Sequence, residues 1–207
     1  MPNKIYYHFT GDTLRNGQPV PPIGEWLTFD GNPVPCSQGL HASPTAFDAL
    51  QYAPGTKLHK VHLGGEIKAH GEPIDKFAAQ KRKIIASIDA TEVCRAFARR
   101  VALDVIHLWD APDVVKQYLK TGDETLRKDA AASTAHSAVS AASDAVYAAS
   151  AASAAYYAAS SSYASYAAHE SAKSKCAGWF NEMIETEFGN LESLTRKRQS
   201  ELRLSSY

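Results

Sequence analysis

Several routes to function are closed by what this 207-residue chain has little of. Its three cysteines, Cys36, Cys94 and Cys176, are odd in number and far apart. None forms a CxxC pair or a Cys/His cluster at zinc spacing, which leaves no metal site and makes reduced, structural thiols the expectation. Neither sign of charge is in excess, since 22 Lys and Arg face 22 Asp and Glu. That balance gives no global pull towards nucleic acid or an anionic membrane, although a local basic patch stays open. The longest weakly apolar run, AVYAASAASAAYYAA, is made of Ala, Ser and Tyr and falls short of the ~20 residues of a membrane span. The opening MPNKIYYHFT has neither the apolar core nor the cleavage site of a signal peptide. A soluble cytoplasmic protein is expected. Walker and dinucleotide fingerprints are missing, as is any locally supported Ser/Cys-His-acid set.

What is present falls into two grammars. Residues 1 to about 89 are punctuated by Pro and Gly (NGQPVPPIG, DGNPVP, APG, LGG, HGEP). Between them lie short runs rich in β-branched and aromatic residues: KIYYHF, EWLTF, GLHAS, KLHKVHL and RKIIASI. This spacing predicts a small mixed or antiparallel sheet. SPTAFDALQYA reads as a helix capped by Ser43 and ended by Pro54-Gly55. From Asp89 the pattern becomes helical. DATE has the form of a capping box, and Val93, Phe97, Ala98, Val101, Val105 and Leu108 share one face. DVVKQYLK follows as a second helix closed by Gly122.

From Asp123 to Ala177 there is no Gly and no Pro. A small-residue seam runs through Ala131, Ala135, Ala138, Ala142, Ala145, Ala149 and Ala152, and continues in Tyr156, Ala159, Tyr163 and Tyr166. Its steps of four and three have heptad spacing. Ala and Ser bury too little area to hold a long rod against a core, so the seam calls for a partner helix, either a fold-back near Ser160 or another copy of the chain. Trp179, Phe180, Met183, Ile184 and Phe188 then form an apolar stripe, and Asn190 reads as the cap of a last helix. The expected organisation is α+β. Residues 1–121 form a ligand- or partner-binding domain that folds alone, 122–178 a self-associating Ala/Ser-rich helix (coiled coil or bundle), and 179–207 C-terminal amphipathic helices.

The stretch SQGLHASPTAFDALQYAPG carries the functional reading. On a strand, His41 and Ser43 share one face, as do Tyr6, His8 and Thr10 in YYHFT. If the two strands pair or cross, two imidazoles and two hydroxyls converge beside a helix start, a set that suits an anionic or nucleotide-like ligand. Asp75, Lys76 and Arg82 read as a polar group near the sheet end, as easily a surface ion pair as a site.

The order YHFT, GLHAS, a helix containing ALQYA, then KVHLGGEI resembles the ADP-ribosyltransferase superfamily, which includes poly-ADP-ribose polymerases and tRNA 2′-phosphotransferases. The resemblance implies that His8 and Thr10 hold the nicotinamide-ribose end of NAD. It places His41 and Ser43 in the second motif and Tyr52 on its helix. Phe9 stands where that family has Gly, and the catalytic Glu has no clear counterpart. Arg82 is the substitute its strand offers. A second resemblance spans the chain: GLHAS, DALQYAPG, VIHLWDAP, YLKTGDETLR and an Ala-rich tail are similar to an uncharacterised family of phage and prophage proteins. It implies an accessory, commonly anti-defence, role in the host cytoplasm.

Three function classes are therefore open. The chain is a module that binds a nucleotide-like molecule or host protein and oligomerises through its tail, or a transferase acting on NAD, or a structural, virion-associated component.

Overall fold

A computed structural model describes residues 4–108, 110–133 and 166–204. Its architecture is α+β, an antiparallel sheet covered by helices. The strands are β1 (Tyr6–Thr10), β2 (Trp26–Thr28), β3 (Leu40–Ala42), β4 (Lys57–His70) and β5 (Lys76–Asp89). The helices are α1 (Ala46–Leu50), α2 (Thr91–Asp104), α3 (Asp113–Thr121), α4 (Arg127–Ala132) and α5 (Tyr166–Leu204), with a 3₁₀ turn at Ile106–Leu108.

The β4–β5 hairpin is the spine. β1 pairs with β4, while β2 and β3 both pair with β5, β2 along residues 81–83 and β3 along 77–79. Both hairpin strands outrun the runs that predicted them. LGG, read as turn punctuation, is instead a register shift between Gly64 and Ile67 that lets the ladder continue to His70. A bridge between Tyr7 and Ser43, with N–H···O distances of 2.9 and 2.8 Å, ties β1 to the end of β3. It closes the circuit β1–β4–β5–β3 and brings the two predicted motif strands together.

On one side of the sheet, Phe9, Leu58 and Ile88 pack under α1, α2 and α5. Phe47, Phe97 and Phe180 meet edge-to-face, Phe97 and Phe180 at 4.9 Å between centroids. A smaller cluster on the circuit holds Tyr6, Ala42, Val61 and Ile84, with the Tyr6 ring 5.1 Å from Phe77. α3 ends as read, at Gly122 in the left-handed conformation.

Four local expectations are corrected. The cap of α1 is Thr45, whose Oγ1 accepts from the Asp48 N–H; the backbone of Ser43 is committed to the bridge with Tyr7. The cap residue of α2 is Ala90 and makes no side-chain cap bond, while Asp89 Oδ1 accepts from the Thr91 N–H at 2.9 Å. Asn190 starts no helix, because α5 runs through it unbroken. The 178/179 boundary also falls inside α5, whose Cys176, Phe180, Ile184 and Phe188 share one core with Phe97 and Val101. The seam from Ala135 to Tyr163 lies outside the described residues. Among the described residues no helix is long and apolar enough to cross a membrane.

Candidate functional site

Where β1 meets β3, the closed circuit leaves a cavity of about 600 Å³. Five of the six residues singled out from sequence line it: His8, His41, Ser43, Tyr52 and Arg82. β1 supplies His8, β3 and its bridge supply His41 and Ser43, the turn after α1 supplies Tyr52, and β5 supplies Arg82. Thr10 stands apart. It is buried, donates to the Gly11 carbonyl at 2.8 Å and so accepts from His59 Nε2 at 2.9 Å. The Ser87 hydroxyl then donates to His59 Nδ1 at 2.7 Å. That chain fixes His59 as a neutral tautomer inside the sheet and leaves Thr10 no free group for a ligand.

The electrostatics of the cavity have one sign. Arg82 is 6% exposed and donates through Nη1 to the His41 carbonyl at 2.7 Å. No carboxylate among the described residues pairs with it, and burial brings its pKa down to about 10, so it stays cationic at neutral pH. Lys76 is 7% exposed, and its Nζ sits 3.8 Å from the centre of the Tyr52 ring. Arg15 reaches in from an exposed position, donating from Nη2 to the Tyr52 carbonyl at 2.8 Å. No Asp or Glu among the described residues lines the cavity. Burial, then Arg82, holds the His8 imidazole well below its ordinary pKa, so it is neutral. Burial lowers His41 as well, with Lys76, Arg82 and Arg15 adding to the effect. Apolar surface from Leu14, Leu27, Phe29 and Leu40 completes the walls.

Sequence reasoning grouped Lys76 with Asp75 and Arg82, as easily a surface ion pair as a site, and missed Arg15. Asp75 accepts from the Tyr52 hydroxyl at 2.6 Å and pairs with His70 at 3.1 Å, leaving Lys76 on the ring. Arg15 lies in the loop before NGQP and carries no signal of its own. The helix-start idea also fails. Asp48 N–H is taken by Thr45, and Phe47 N–H donates to Asn181 Oδ1 of α5 at 3.0 Å. Of the acids weighed for a transferase role, Glu66 pairs with Lys68 at 3.3 Å, and neither it nor Glu72 lines the cavity.

Residues 5–96 match the model of a family described as a domain of unknown function, DUF7666. The matched span takes in the whole sheet and every cavity residue and stops within α2, so α5 lies outside it. No curated protein and no solved structure matches the chain.

Proposed function

We propose that this chain is a binding module for a small anionic, nucleotide-like molecule, held in the cavity between β1, β3 and β5. One observation carries the reading: Arg82 and Lys76 are both more than nine-tenths buried, both line the cavity, and neither makes an ion pair with a carboxylate among the described residues, Asp75 being bonded to Tyr52 and His70 and only near enough to feel the Lys76 charge. Desolvated cations are costly unless an anion compensates them. With no acidic side chain of the described residues on the wall, that anion comes from a ligand. The apolar wall and the Tyr7, Phe29 and Tyr52 rings suit a planar base or similar body, and about 600 Å³ is ordinary for a small-molecule site.

Binding is favoured over transfer. The resembling superfamily's third motif is a late-strand Glu, with Arg there only in its phosphotransferases, and no carboxylate among the described residues lines this cavity. Titration calorimetry with AMP, ADP and NAD, against uncharged adenosine, tests the reading. The phosphorylated ligands bind and adenosine does not, and Arg82→Gln weakens binding by roughly 10- to 100-fold, the worth of a hydrogen bond to a charged group. Equal binding of adenosine and AMP sinks the proposal, and release of nicotinamide from NAD restores the transferase. The Ala-rich seam adds a second half to the proposal: helices paired through it, as a coiled coil or bundle, multiply the module. A multivalent ligand trap fits the cytoplasmic accessory role that the phage-family resemblance implies.

A further inference from the structure

The cavity rim carries a thiol that ligand binding alone does not use. Cys36 is exposed, free and one of the residues lining the cavity. Its backbone lies in the left-handed region (φ 65°), and no other non-glycine among the described residues does so. The loop around it is firmly held. Val34 and Gln38 exchange backbone bonds of 2.9 Å, Gln38 Nε2 donates to the Asn32 carbonyl at 2.7 Å, and Lys68 Nζ donates to Asn32 Oδ1 at 2.6 Å. The other two cysteines are unreactive by comparison. Both are buried, and burial pushes the Cys94 thiol up to about 12 and the Cys176 thiol up to about 11.

We propose that Cys36 is a site of reversible S-thiolation by an anionic disulfide of the oxidised-glutathione class. Resting on the anion-cavity reading, the proposal makes Arg82, Lys76 and Arg15 the groups that hold the reagent's carboxylates while the thiol reacts. The Cys36 thiolate attacks one sulfur of the disulfide, and the bond between the two reagent sulfurs breaks. A mixed disulfide forms on Cys36, and the second half leaves as a thiolate that takes up a proton. Cys36 is oxidised and the departing half is reduced, so no other electron acceptor is needed. The attached peptide then lies over the cavity and competes with its ligand, which makes the site redox-gated.

Intact-mass spectrometry of the full chain with oxidised glutathione, followed by peptide mapping, tests this. A single adduct on Cys36, absent in Cys36→Ser and removed by dithiothreitol, is expected. The comparison that isolates the cavity uses a second, uncharged reagent, hydroxyethyl disulfide. Lys76→Gln and the exposed Arg15→Gln slow the glutathione reaction by about tenfold, the lower end of electrostatic steering, and leave the hydroxyethyl rate within about twofold. Equal effects on the two reagents, or an adduct on Cys94 or Cys176, overturn the proposal. AMP binding measured on the same variants separates the two readings. If AMP binds and weakens with the variants while the glutathione rate ignores them, the cavity reading stands and the thiolation proposal falls. If neither depends on the cations, both fall.

Discussion

At the scale of single residues, the chain keeps two imidazoles in places where a positive charge is poorly tolerated. His59 is buried between Thr10 and Ser87, and burial, then Arg82 and Lys57, brings its pKa down from 6.5 to about 4. His8 is lowered as well, by burial first and then by the Arg82 guanidinium. The sign follows from proton counting. Between about pH 4 and 6.5 the unfolded chain binds protons that the folded chain refuses, so stability rises with pH in that window and is lost as pH falls through it. From His59 alone the loss by pH 5 is about 2 kcal/mol, at 1.36 kcal/mol per pKa unit. Urea unfolding at pH 7 and pH 5 checks this. The midpoint drops in the wild type, and the drop is smaller in His59→Gln, which keeps one donor and one acceptor but cannot take up a proton. An unchanged midpoint between the two pH values contradicts the neutral assignment.

At the scale of elements, α5 belongs to the same core as the sheet that carries the cavity. Polar contacts fasten it: Tyr7 donates to Glu185 at 2.6 Å, Lys60 Nζ reaches Glu185 at 2.7 Å, Asn181 accepts from the Phe47 N–H, and Lys175 Nζ donates to Asp104 Oδ2 of α2 at 2.6 Å. Tyr7 and α1 both border the cavity, so the site is built on elements that α5 holds in place. Phe180, Ile184 and Phe188 fill the space beside Phe97 and Phe47. Phe180→Ala is expected to cost about 3–5 kcal/mol, the usual toll for removing a fully buried ring. A chain stopped at residue 133 loses the whole stripe and is expected to lack a cooperative thermal transition by circular dichroism. A sharp transition in the truncated chain would restore the independent N-terminal domain. The stripe itself was legible, because 3.6-residue periodicity marks a buried helix face. Where it docks was not, since nothing in Trp179–Phe188 names α2 and α1 as its partners. The candidate site divides in the same way. Strand alternation put His41 with Ser43 and His8 with Tyr6, and the Tyr7–Ser43 bridge then joined the two sets. Lys76 was illegible as a buried cation, because its burial depends on the Tyr52 ring, which an element some twenty residues earlier contributes.

At the scale of the whole molecule, the cavity and the Ala-rich segment are joined through α5, which packs on the cavity-bearing sheet at Phe180–Phe188 and leads back in sequence to the seam. If the seam pairs copies of the chain, each pairing helix is anchored to a binding site, and avidity follows from geometry without any new contact to the ligand. A seam of Ala permits close helix approach only while every position stays small and uncharged. If the proposed seam exists, Ala149→Glu puts a carboxylate on it whose desolvation has no partner to offset it. Native mass spectrometry of the full chain separates the parts of this idea. The wild type is expected as a multimer and Ala149→Glu as a monomer, with AMP affinity per chain unchanged because the described cavity residues run from Tyr7 to Arg82. A multimer that survives the substitution removes the seam as the interface. A monomeric wild type removes self-association and leaves a single-site binder.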